Sequence, residues 1–290
     1  DASACTFGAT EPVGVSLNNA GTMDISEGTL TLEVDGTIVA TEALDIIIPV
    51  GGSAEYVFDA TADLSAPGIH DLNVTIEVDG DISSSNNTLT TQAENLSLET
   101  ALPYFNDFEE DEGGWFTYGT GNSWRWATPS ASVISSASSG SFAWVTNPTG
   151  EYNNSENSFV ESPCFDFSGS TIDPVITFQH QYDTETNYDE SWLEISVNGG
   201  ASWSKILDDG TGVAMNWYND LVSQWWEGSS EGWRTARASL SGTAGNRDVR
   251  IRFAFSTDSS VTYEGVAFDD ISIADGEAMI DLSLVEVDVD

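Results

Sequence analysis

The chain of 290 residues carries 48 acidic side chains against 7 basic ones, a formal net charge of −41 at pH 7. That balance repels phosphate backbones and anionic membranes, so nucleic acid is excluded as a partner and direct membrane insertion is not expected. Hydrophobic residues make up 40%, enough to build real cores, and the length suits two domains.

Residues 1–98 contain no Trp, Lys or Arg and 16 of the acids. Their apolar residues alternate with period two, the mark of half-buried strands. Val13, Val15 and Leu17 share one face, as do Leu30, Leu32 and Val34, then Leu44, Ile46 and Ile48. Tyr56 and Phe58 follow, and then Leu72, Val74, Ile76 and Val78. Asp35-Gly36 reads as a tight hairpin turn that needs positive φ, and Asp79-Gly80 and Asn18-Asn19-Ala20-Gly21 read as further turns. Strands are predicted near 12–18, 29–34, 37–48, 53–60, 68–78 and 87–92. The pattern is that of an immunoglobulin-like β-sandwich with one of its usual seven strands missing at the front.

Residues 99–275 hold all ten Trp, all seven basic residues and 27 acids. Strand-like runs fall at 103–109, 141–146, 158–160, 174–182, 191–197, 202–206, 249–256 and 265–273, joined by turns rich in Gly, Asn and Ser. Many antiparallel strands over this length predict a two-sheet jelly roll, so the expected fold is all-β throughout. Residues 276–290 form a linker and a last alternating run, 279–289, with no partner of its own. It is expected to be the first strand of the next copy of the N-terminal module, which makes the chain one unit of a tandem array, or else a terminal strand of the second module. Both ends break off in acidic residues without a signal peptide, which reads as a fragment of a longer protein.

Cys5 and Cys164 belong to no CxxC or Cys/His pattern. An oxidising compartment would allow a disulfide between them, although spacing alone does not establish their proximity. Ser196-Val-Asn-Gly-Gly-Ala-Ser-Trp203 fits the Asp-box pattern S-x-[DN]-x-G-x-[ST]-W with Asn198 in the acidic position. There Asn198 would satisfy turn amides, the glycines would take positive φ, and Trp203 would anchor the hairpin.

Five segments occur in order: Phe105-Asn-Asp-Phe-Glu109, Asn122-Ser-Trp-Arg-Trp126, Ser162-Pro-Cys-Phe-Asp-Phe167, the Asp-box, and Glu264-Gly-Val-Ala-Phe-Asp-Asp-Ile271. Together they make residues 103–274 resemble the MAM-like or cleaved-adhesin jelly-roll modules of secreted Bacteroidetes proteins. The first module, through Leu17-Asn-Asn-Ala-Gly21 and Gly68-Ile-His-Asp-Leu72, more weakly resembles the bacterial cell-adhesion-related (CARDB-type) immunoglobulin-like domain. The resemblance implies an extracellular, cell-surface location and a non-catalytic role in a large adhesin or filament. It also implies a structural calcium where the first and last long strands meet, with Asp107 and Glu109 on one and Asp269 or Asp270 on the other. Two further oxygen sets are candidates for calcium: Asp183 with Asp189 in the loop 183–189, and Asp258 with Glu264. Each set has a plainer reading as solvated carboxylates.

Residues 208–233 lack alternation and carry Trp217, Trp225, Trp226 and Trp233. These rings would either stack on sugars or cover the sheet as a lid, and the lid is the favoured reading. No G-x-S-x-G or HExxH is present, and His180 sits in mid-strand. Asp183 with Glu185 is the best glycosidase-like carboxylate pair that so acidic a chain offers, and it is weak support for catalysis. The sequence reading is therefore a non-catalytic adhesion segment stabilised by calcium, with neighbouring copies of the same repeat and surface glycans or proteins as partners. The alternative is a carbohydrate-binding module pair attached to a secreted enzyme, and a third reading is a spacer alone.

Overall fold

The computed structural model describes residues 2–208 and 210–276, and the chain divides into two compact units, Asp1–Leu98 and Glu99–Asp290. The linker and tail strand expected at 276–290 lie, beyond Gly276, outside the described residues. No helix among the described residues is long and apolar enough to cross a membrane.

The first unit is an immunoglobulin-like sandwich of seven strands: β1 (Ala2–Ala4), β2 (Glu11–Asn18), β3 (Thr29–Val34), β4 (Thr37–Ala43), β5 (Ser53–Ala62), β6 (Gly68–Glu77) and β7 (Thr88–Asn95). Five form one sheet in the order β1-β7-β6-β3-β4, and β2 and β5 form the other. Period-two alternation sends Leu30, Leu32, Tyr56, Phe58 and Leu72 into one core. Asp35 and Gly36 take φ of 51° and 76°, as a two-residue hairpin between right-twisted strands demands. The strand expected over 37–48 stops at Ala43, where Leu44 N–H turns to the Gly28 carbonyl. Ile48 then makes an isolated bridge with Ile25 as the chain heads for β5 in the other sheet. The strand expected to be missing is supplied by the unit's own β1, parallel to β7 with Ala2 opposite Ala93. Three residues are too few to show alternation, so the sequence does not announce it.

In sequence, β8 (Leu98–Glu99) leads to the second unit. This contains β9 (Tyr104–Asn106), β10 (Phe116–Thr120), β11 (Trp124–Ala127), β12 (Ala143–Thr146), β13 (Asn157–Glu161), β14 (Cys164–Phe165), β15 (Val175–Asp183), β16 (Glu190–Ser196), β17 (Ser204–Lys205), β18 (Arg234–Ser239), β19 (Arg250–Ser256) and β20 (Gly265–Ala274). One sheet runs β10-β13-β19-β16-β17. The other runs β11-β12-β20-β15-β18, with β9 also on β20. The two sheets close over an aromatic core in which Phe253 of β19 and Phe268 of β20 stack 3.7 Å apart, 6° from parallel. Strand β18 escapes the sequence reading because its inward residues, Ala236 and Ala238, are too small to mark a hydrophobic period, yet each is 1% exposed. Cys5 and Cys164 are buried, and both are disulfide-bonded.

The Asp-box forms the β16–β17 turn. Ser196 Oγ donates to Asn198 Oδ1 at 2.8 Å and accepts from Gly200 N–H at 2.9 Å. Asn198 Oδ1 also accepts from Ser202 N–H at 3.0 Å. Trp203 lies against the Arg252 guanidinium, 4.2 Å from the ring centre, and so ties the hairpin to β19.

Candidate functional site: an acidic cluster between two crossover loops

Two connections pass from one sheet of the second unit to the other. Residues 184–189 join β15 to β16, and residues 257–264 join β19 to β20. In the ladders Asp183 stands opposite Gly265, and Glu190 stands opposite Ser256. The two loops therefore run side by side, and each meets the other at both ends. Asp189, entering β16, meets Asp258, just past the end of β19. Asp183, leaving β15, meets Glu264, just before β20.

This crossing re-sorts the candidates. The sequence reading joined Asp183 to Asp189 and Asp258 to Glu264, because each pair shares a loop. The structure instead gathers Glu185, Asp189 and Asp258, with one carboxylate oxygen from each lying within 4.8 Å of the others. Among the described residues this is the group of three or more such side chains able to hold an ion. Asp183 faces Glu264, whose backbone N–H it accepts and whose charge opposes it, and burial above all raises its pKa.

Glu185 and Asp189 are brought together by one closed turn, in which the Glu185 carbonyl accepts Asp189 N–H at 3.0 Å with Asn187 at φ 69°. Asp189 is 1% exposed. Its Oδ1 accepts Asp258 N–H at 2.7 Å, and its Oδ2 accepts the Tyr152 hydroxyl at 2.5 Å. The same Tyr152 oxygen accepts Glu185 N–H at 3.2 Å. Glu185 Oε2 is buried and has no hydrogen-bond partner. Burial raises the pKa of both Glu185 and Asp189, and repulsion from the neighbouring carboxylates adds to the effect. Three hard anionic oxygens, one of them unsatisfied, form a donor set that fits a hard divalent cation such as calcium. Tyr152 positions both carboxylate-bearing residues, and nothing in its local sequence singles it out. The i, i+4 spacing of Glu185 and Asp189 was the available sign for Glu185.

The set Asp107, Glu109, Asp269 and Asp270 is employed differently. The carboxylates of Glu109, Asp269 and Asp270 are bonded to loop 128–142, the serine-rich connection from β11 to β12. Asp269, 0% exposed, accepts Ser138 and Ser139 N–H on Oδ2 at 2.9 and 3.2 Å. Asp270 accepts the Ser139 hydroxyl at 2.7 Å. Glu109 accepts Ser141 N–H at 2.8 Å and Phe142 N–H at 2.7 Å. Asp107 caps Glu109 N–H at 3.3 Å. Glu264 holds the same loop through Ser132, Val133 and Ile134 N–H at 2.8, 2.6 and 2.7 Å. Gly140, at φ 52°, leaves the space that Glu109 fills, since a Cβ there would lie 2.1 Å from its carboxylate carbon. Backbone amides can occupy the same lone pairs that a cation would, and sequence cannot tell the two partners apart. Burial pushes Asp269 up to about 7.

The tryptophans of 208–233 do not form a flat exposed platform. Trp226 and Trp217 are 1% and 6% exposed, and their indole N–H groups donate to the Asn216 and Ile206 carbonyls. Trp225 and Trp192 flank the Lys205 ammonium at 5.0 and 4.9 Å. Trp233 donates to Ser136 O at 3.1 Å and packs beside Ile134, Val145 and Ala267. The segment covers the edge of the sandwich as a lid, in which Trp217 and Trp226 gain both burial and a carbonyl partner.

No family model matches the chain. It is 29% identical over 177 residues to Bacillopeptidase F of Bacillus subtilis (strain 168), a match that covers 60% of this chain. The chain spans 11% of the length of that relative. Similar solved structures include the K1 cleaved adhesin domain of the Lys-gingipain of Porphyromonas gingivalis W83, at 14% identity and a TM-score of 0.38 over 61% of this chain and all of that one. Another is TmCBM61 in complex with β-1,4-galactotriose, at 11% identity and a TM-score of 0.37 over 59% of this chain and 94% of that one.

Proposed function

We propose that the chain is a non-catalytic segment of a large exported adhesin, one unit of a tandem series, whose second unit is stiffened by calcium held between Glu185, Asp189 and Asp258. The observation that carries this reading is the buried, unpartnered Oε2 of Glu185 beside two further carboxylates. Calcium takes six to eight oxygens, so backbone carbonyls and water would complete the shell. The bound ion would neutralise three repelling charges and tie loop 184–189 to loop 257–264, fixing the ends of β15, β16, β19 and β20 together. The similarity to a small fraction of a much longer relative supports a module carried within a larger protein.

The test is calorimetric titration of the chelator-stripped chain with calcium. Saturable binding lost in the Asp189→Asn, Asp258→Asn double variant is expected. Undiminished binding by that variant rejects the site, and turnover of any substrate by the purified chain rejects the non-catalytic role. A second reading is a carbohydrate-binding module pair carried beside a secreted enzyme, and the likeness to a stretch of a protein named as a peptidase bears only on its being carried beside an enzyme.

A further inference from the structure

The open edge of the second unit's sandwich holds a cavity of about 150 Å³. Strands β15 and β18 form its floor, and the lid segment around 216–226 forms its wall. Its lining includes Tyr182, Tyr218 and Trp226, all buried side chains, with His180 and Arg234. Three observations separate it from an ordinary packing gap.

His180 is the first. It is 2% exposed, its ring centre lies 4.5 Å from that of Trp226, and its Nε2 has no hydrogen-bond partner. A buried ring nitrogen left unpaired carries a desolvation penalty that a bound polar group would remove. Burial pushes the imidazole down to about 3, so it stands uncharged at neutral pH, with one nitrogen able to donate and the other to accept.

The second is local charge. Arg234 lies directly opposite His180 in the β15–β18 ladder, which puts both side chains on the same face of the sheet. Its Nε donates to the Ser230 carbonyl at 2.6 Å, which holds the guanidinium in place while the residue stays exposed. Arg234 is one of seven basic residues in a chain with 48 acidic ones, yet the cavity lining contains no carboxylate. The neighbouring Glu227 turns its own carboxylate to Asn187 N–H at 2.8 Å.

The third is the division of polar duties in the wall. Asn219 commits its oxygen and its nitrogen to the backbone of Glu227 at 2.9 and 2.8 Å. Tyr218 uses its hydroxyl on the Ile206 carbonyl at 2.9 Å. These groups are spent on the fold, and His180 Nε2 is not.

We propose that this cavity takes the carboxylate-bearing edge of one sugar, a uronic acid unit of a glycan, with Arg234 on the carboxylate and His180 Nε2 on a ring substituent. A guanidinium matches a carboxylate in a forked, charge-assisted pair. This assignment rests on the second, glycan-binding reading and is independent of the calcium cluster.

The experiment follows tryptophan fluorescence during titration with methyl glucuronide and methyl galacturonide, with methyl glucoside and sodium acetate as comparators. At least one uronide is expected to give a saturable change. Binding should weaken about tenfold or more in Arg234→Gln, as loss of a charged hydrogen bond requires. His180→Phe, which keeps an aromatic ring of similar size in the core, should weaken it as well, with a melting profile that shows the fold intact. Binding of the glucoside or acetate as tight as that of the uronides overturns the assignment, as does uronide binding that neither variant changes. Glycan binding that both variants leave unchanged rejects this cavity but keeps the glycan-binding reading. No saturable binding of any sugar rejects both.

Discussion

Calcium should act on one unit and spare the other. Glu185, Asp189 and Asp258 all belong to the unit Glu99–Asp290, and among the described residues no comparable cluster lies in Asp1–Leu98. An ion bound only by the folded state stabilises it by RT ln(1 + [L]/Kd), about 2.7 kcal/mol at a hundredfold excess over Kd. For a domain of this size each kcal/mol moves the melting temperature by about 2–4 °C, so the second unit's transition should rise by about 5–11 °C. Differential scanning calorimetry in calcium and in EDTA reads this directly, with the first unit's transition as the internal reference. Glu185→Gln sharpens the test. Its carboxylate is opposed by Asp258 and Asp189, and its Oε2 bonds nothing. The substitution should therefore raise the second transition in EDTA and reduce its response to calcium. A second-unit transition that stays at one temperature with and without calcium, or a Glu185→Gln variant that melts lower under both conditions, would refute the reasoning.

Acid titration should show an inverted slope in the second unit. Burial pushes Asp269 and Glu190 each up to about 7, so between about pH 4 and 7 the folded chain keeps protons that the unfolded chain releases. Stability in chelator therefore falls as pH rises through that window. Urea midpoints of the second unit at pH 4.5 and 7 check the sign, and Asp269→Asn should flatten the slope. Trp226→Ala, which empties a site 1% exposed, should destabilise the second unit by about 3–5 kcal/mol. Trp225→Ala, at a partly exposed position, should cost clearly less in the same chemical denaturation.

The alternating runs Leu30-Leu32-Val34 and Leu72-Val74-Ile76, the Asp35-Gly36 turn and the Asp-box at 196–203 were legible from sequence. Strand period, turn chemistry and side-chain hydrogen bonds over a few residues are local properties. Short or alanine-lined strands such as β1 and β18 were not legible, because they are strands through their ladder partners. The same division runs through the site. The sequence supplied the acidic residues and the loops that carry them. Only the tertiary structure decided that Asp189 meets Asp258, that Asp183 meets Glu264, and that Glu109 and Asp269 hold backbone amides. A carboxylate has the same chemistry wherever it stands in the chain. Which group it faces is set by strand register across two sheets, between residues as far apart as Asp189 and Asp258, and no local pattern encodes that.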